Sequence, residues 1–86
     1  MNKYIVEFLG TMFLMIAYNS TGEALPIGLT LTLAIILGGS ISGGHFNPAI
    51  SIAKAISKKI TLKDLLIYVA AQIAGAFTAL HLNIIF

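Results

Sequence analysis

Ile41-Ser-Gly-Gly-His-Phe-Asn-Pro-Ala-Ile-Ser51 is the run whose reading decides the fold of this chain. It is polar and backbone-flexible, and apolar segments flank it on both sides. Gly43 and Gly44 admit dihedrals closed to other residues and allow close approach to the main chain. Asn47 followed by Pro48 marks a helix start. Asn is a leading N-cap, and Pro fits the first helical position, where its missing N–H would have no partner anyway. The chain therefore turns here and opens a helix whose amide-rich end points toward the residues before Asn47.

Composition names the medium. Of 86 residues, 58% are hydrophobic and 9% charged, whereas a soluble domain carries roughly 25% charged residues. The chain cannot cover itself with polar surface, so it reads as a membrane protein. With no cysteine, it has no disulfide framework and no thiolate metal site. A net charge of +2 gives no nucleic-acid signature. The apolar N-terminal run carries no small-residue cleavage site before a polar domain, so it does not read as a cleavable signal.

The first span is expected over about residues 3–18, short for a hydrocarbon core of ~30 Å. It holds Glu7, and carboxylates at membrane depth are costly and need a partner. Either Glu7 lies at the interface among headgroups, or it accepts hydrogen bonds from exposed backbone, with Gly43–Phe46 as the candidate donor segment. Gly10 and Thr11 would permit close helix approach. Asn19–Glu23 is a polar turn. A second span, about residues 24–39, tolerates Pro26 in its first turn. Its Thr30 and Thr32 can bond back to their own helix, so they do not by themselves imply a pore. Thr61-Leu-Lys-Asp64 is a capping-box pattern that opens the last span, about residues 62–84. Two rows of small residues run along that span: Ala71, Gly75 and Ala79, and Ala70, Ala74 and Thr78. Both are read as ordinary close helix packing. Gln72 beside them needs a polar partner, and His81 reads as an interfacial spectator.

The helix after Asn47, residues Pro48–Ile56, is about nine residues or roughly 13 Å long. That is too short to cross, and irregular backbone at membrane depth is tolerated only inside protein or lining water. A re-entrant loop and half-helix over about residues 40–56 follows. The lysines, at 3, 54, 58, 59 and 63, test this independently, since the chain has no Arg. Re-entry puts all five on one side of the membrane, a positive-inside bias that places the N-terminus in the cytoplasm. Crossing would split them one against four. The expected fold is all-α: a single unit, residues 1–86, of three transmembrane helices and one re-entrant half-helix.

On these motifs the chain resembles the first half of an aquaporin, the major intrinsic protein family. Glu7-Phe-Leu-Gly-Thr11, Gly28-Leu29, Ser42-Gly-Gly-His-Phe-Asn-Pro-Ala49 and Ala71-Gln-Ile-Ala-Gly-Ala76 carry the resemblance, which covers essentially the whole chain. It implies that carbonyls of Gly43, Gly44, His45 and Phe46 form a ladder of acceptors along a single-file pore. Asn47 would donate its side-chain amide to a water at the midpoint, and the half-helix N-terminus, carrying about +0.5 of a charge, would oppose cations. Pro48 and Ala49 would pack against the matching motif of an opposing half, and Ile50 would line the wall nearby. Ile27 matches a position of the outer selectivity filter, where water channels favour a bulky aromatic. Glu7, His45 and Gln72 resemble the residues that support the pore loop. A catalytic role for Glu7 and His45 is set aside, because no nucleophile or oxyanion arrangement accompanies them. No cofactor and no metal are implied.

Family members join two such halves, inverted relative to one another. A lone half would leave polar backbone facing lipid, so a second inverted half is expected from an inverted copy, from a distinct complementary chain, or from the rest of a longer product. The one-sided lysines argue against insertion in both orientations. Ile50 stands where the second half of the family reads Arg, and two copies would supply no Arg. Both observations favour a distinct chain. The expected function is passive conduction of water or a small neutral solute in the cytoplasmic membrane, in a higher oligomer such as a tetramer of pores, with lipid as the other partner and no nucleic acid. The alternative is a non-conducting assembly or regulatory subunit.

Overall fold

The computed structural model describes residues 1–85. It contains four helices and, among the described residues, no strand: α1 (Lys3–Ser20), α2 (Ala24–Ser42), α3 (Pro48–Ile56) and α4 (Leu62–Ile85). Two of them, Ala24–Ser42 and Leu62–Asn83, are long and apolar enough to cross a membrane. The 18 residues of α1 are roughly 27 Å long, but they include Lys3, Glu7 and Asn19, which dilute its apolar character.

α1 lies between α2 and α4, and α3 packs on α4. Glycine decides how closely these elements meet. A Cβ on Gly75 would run into the backbone carbonyl of Phe8, so α1 and α4 touch main chain to main chain at that level. A Cβ on Gly10 would enter the Phe46 ring, and one on Gly38 would meet the Val6 side chain. The two small-residue rows of α4 therefore differ. Gly75 and Ala79 are buried and Ala71 is half-buried, whereas Ala70 and Ala74 face outward. Along α2 the apolar side chains of Leu25, Leu29, Leu33, Ile36 and Leu37 are exposed, and the buried positions are Gly38 and Ser42.

The ends of the elements follow local chemistry. Asn2, which the sequence reading passed over, caps α1 by accepting from the Tyr4 amide at 2.6 Å. α2 runs to Ser42, past the expected end near residue 39, and stops at Gly43. That glycine adopts φ +91° in the left-handed region and donates to the Gly39 carbonyl at 2.8 Å. Gly38 and Gly39 each weaken a helix by about 1 kcal/mol relative to alanine, but tertiary bonds at Ser42 hold the last turn. Thr30 and Thr32 bond back to Pro26 and Gly28. At the start of α4, Thr61 caps the Asp64 amide at 3.1 Å. The reciprocal half of the capping box is replaced, because the Asp64 carboxylate accepts instead from Lys3 Nζ at 2.7 Å and from the Tyr4 hydroxyl at 2.6 Å. That pairing joins the first turns of α1 and α4.

Candidate functional site

The site is a short loop, residues 43–47, suspended from a buried carboxylate. Glu7 lies one turn into α1 and is 0% exposed. One of its oxygens accepts from the Ser42 hydroxyl at 2.7 Å and the His45 amide at 3.1 Å. The other accepts from the Phe46 amide at 2.7 Å and the Gln72 side-chain nitrogen at 2.9 Å. Four donors from α2, the loop and α4 thus converge on two oxygens, which is the full acceptor capacity of a carboxylate. Of the two readings open for Glu7, this geometry is the bond to loop backbone. The donors are His45 and Phe46, since the Gly43 amide belongs to the α2 C-terminus and the Gly44 amide donates to Ser42 Oγ at 3.2 Å.

A second tier supports the first. Ser51 is fully buried, one turn into α3. Its hydroxyl oxygen accepts from Gln72 Nε2 at 2.9 Å and lies 2.8 Å from His45 Nδ1. The Ser51 oxygen keeps a second lone pair beside the Gln72 hydrogen, so which partner donates in the Ser51–His45 contact follows the His45 tautomer. Gln72 directs its nitrogen at both acceptors, and its buried Oε1 has no partner. Tyr68, one turn before Gln72 on α4, donates to the Ser42 carbonyl at 2.6 Å and stands 5.0 Å from the His45 ring. Ser51 and Tyr68 were not singled out from the sequence. The available signal was spacing: Ser51 follows Asn47 by one helical turn, and Tyr68 precedes Gln72 by one.

This anchoring dictates where the carbonyls go. In a trans peptide the N–H of one residue and the C=O of the residue before it point in opposite directions. The amides of Gly44, His45 and Phe46 are drawn toward Ser42 and Glu7, so the carbonyls of Gly43, Gly44 and His45 face away from the bracket. No hydrogen bond among the described residues ends on them. The loop achieves this with three demands on the left-handed region, at Gly43, at Gly44 (φ +68°) and at Phe46 (φ +54°). For Phe46 that conformation costs about 1–2 kcal/mol. It is held by the bond to Glu7 and by a ring only 2% exposed, seated on Gly10.

Asn47 ends the loop in extended backbone, and its side-chain oxygen accepts from the Ala49 amide at 2.8 Å. That oxygen is therefore committed to capping α3, while the residue itself is exposed. Pro48 is half-buried, and Ala49 and Ile50 are exposed beside it. Ile27 is half-buried in the first turn of α2, at the end of that helix remote from the loop. His81 is exposed near the end of α4, away from the bracket. The Ser51 hydroxyl on His45 Nδ1 has the spacing of a nucleophile on its base. Both groups are sealed from solvent, however, and Glu7 holds the His45 backbone rather than its ring. The arrangement braces a loop and offers no reaction site. Among the described residues no cluster of His, Cys, Asp or Glu is placed to hold a metal ion.

Two apolar helices of spanning length are what a helical integral membrane protein requires. The chain belongs to the Major intrinsic protein family, whose model matches residues 1–86; proteins of this family are integral membrane channels. It is 44% identical to glycerol uptake facilitator protein-like 6 of Lactiplantibacillus plantarum over 88 residues, covering 92% of this chain and 41% of that protein. It is 39% identical to aquaporin Z of Brucella melitensis, again over 92% of this chain and 41% of the relative. With nodulin-26 of Glycine max it shares 38% identity over 92% of this chain and 34% of that protein. The chain therefore spans about two fifths of the length of these relatives. No solved structure matches it.

Proposed function

We propose that this chain is one half of a channel that passively conducts water or a small neutral solute. In this reading α1, α2 and α4 cross the membrane, and α3 enters from the cytoplasmic side and ends at Asn47 within it. One observation carries the reading: three unpaired carbonyls, of Gly43, Gly44 and His45, face away from the bracket and lead to an exposed asparagine at the N-terminus of a half-length helix. With the Asn47 oxygen spent on Ala49, its amide hydrogens remain to donate. A solute moving along this face meets acceptors, then a donor, beside a helix terminus whose partial positive charge disfavours cations. The Phe46 carbonyl follows these three as the fourth member of the ladder.

The opposite wall of the pore comes from a second, inverted half, supplied by another chain or by residues outside this sequence. Hydrocarbon would leave the outward carbonyls unsatisfied, at several kcal/mol per group. A distinct half is favoured over an inverted copy because the lysines 3, 54, 58, 59 and 63 are one-sided. Ile27 and Ile50 then contribute apolar wall on either side of the asparagine. Pro48 and Ala49 meet the matching turn of the other half, and the completed pores associate into a tetramer. The N-terminus is cytoplasmic, in the plasma membrane.

The test is osmotic shrinkage of proteoliposomes holding the chain with its complementary half. Permeability above that of empty vesicles is expected, with a marked loss for Asn47→Asp, which trades the amide donor for a second acceptor. Shrinkage equal to that of empty vesicles in every oligomeric preparation would refute the channel.

A further inference from the structure

We infer that the α3–α4 turn is a binding site for the headgroup of an anionic phospholipid. Lys54 in the last turn of α3, Lys58 and Lys59 in the turn, and Lys63 in the first turn of α4 are all exposed. The acidic group beside them, Asp64, is already occupied by Lys3 and Tyr4. Among the described residues that is the sole salt bridge, so four ammonium groups within ten residues of chain have no anion.

The backbone presents them on a fixed support. The Lys59 amide donates to the Lys54 carbonyl at 2.8 Å and the Lys58 amide to the Ala55 carbonyl at 3.0 Å. This is the paired closure of a Schellman motif, in which glycine normally takes the left-handed position. Here that position is Lys58, at φ +61°. A lysine is thus kept where the backbone alone would favour glycine.

The neighbours identify the ligand class. Ile56 is 78% exposed and Leu62 is 70% exposed, each within two residues of a lysine, and Leu66 continues the apolar strip along α4. Ammonium groups bordering exposed aliphatic side chains match a molecule that is anionic at one end and hydrocarbon at the other. A free phosphate would use the lysines and leave the apolar strip unused. This inference does not depend on conduction, and its test does not measure conduction.

The full chain, purified in a neutral detergent, is offered phosphatidylglycerol and phosphatidylcholine in equal amounts, and bound lipid is counted by native mass spectrometry. Preferential retention of phosphatidylglycerol is expected. Each lysine removed should weaken it about fivefold, from about 1 kcal/mol per basic residue near an anionic lipid surface. The variants are Lys54→Gln, Lys59→Gln and Lys63→Gln, together with Lys58→Gly, which removes a charge while relaxing the turn. Circular dichroism of each variant checks that the helices persist. Equal retention of the two lipids by the native chain, or unchanged preference in the fourfold variant, overturns the inference. A third arm adds inorganic phosphate. Displacement of the lipid at millimolar phosphate would show that the apolar strip contributes nothing, and would equally overturn it.

Discussion

Replacing Glu7 by glutamine tests the central construction with a change of one atom. The carboxylate accepts four hydrogen bonds, two of them from backbone amides in the loop. A glutamine must turn its NH2 toward one of the two oxygen positions. If it replaces the oxygen facing Phe46 and Gln72, two N–H donors confront a third. If it replaces the other, the Ser42 hydroxyl can rotate toward the Gly38 carbonyl, 3.4 Å away, but the His45 amide loses its acceptor. The second arrangement is the cheaper. One buried amide without a partner costs about 1–3 kcal/mol, and the bonds left on a neutral acceptor each lose up to about 1 kcal/mol of charge assistance. The loop should therefore open more easily by about 2–4 kcal/mol. Amide hydrogen exchange reads this directly, since protection reports the free energy of local opening. The His45 and Phe46 amides should exchange roughly 30- to 900-fold faster in Glu7→Gln, by conversion at 1.36 kcal/mol per decade, while mid-α4 amides change little. Unchanged exchange at His45 and Phe46 would show that Glu7 does not hold the loop.

Two further substitutions probe the packing under the same loop. Gly10→Ala should lower thermal stability in detergent, because overpacking against the Phe46 ring costs about 1–3 kcal/mol and outweighs any gain in helix propensity. Gly28→Ala is the control. Nothing lies within 4 Å of a Cβ there, so it should be neutral or stabilising by up to about 1 kcal/mol. Tyr68→Phe leaves the buried Ser42 carbonyl without its 2.6 Å donor and should cost about 1–3 kcal/mol. Its melting curve should shift in the same sense as that of Gly10→Ala, with the helix content before melting unchanged.

Helix starts and the short length of α3 were legible because each depends on residues close together in the chain. Asn47 and Pro48 specify the α3 terminus through their own side chains. The dependence of Glu7 and Gln72 on partners was legible too, as a physical debt: polar groups in apolar helices must be satisfied. The end of α2 was less so. The span was expected to end near residue 39, and the helix continues to Ser42, whose hydroxyl finds Glu7.

What the sequence alone determined is where polar groups fall among apolar ones, and hence that this chain belongs in a membrane with a turn and a short helix at Asn47. The tertiary structure decided which groups meet. Glu7 joins Gln72 across 65 positions and His45 across 38, and Tyr68 reaches Ser42 across 26. It also decided that the row of Gly75 and Ala79 faces the protein while that of Ala70 and Ala74 faces outward. The reason is physical. Hydrogen bonds and steric contacts act within a few ångströms of space, and separation along the chain says nothing about that distance until the helices have docked.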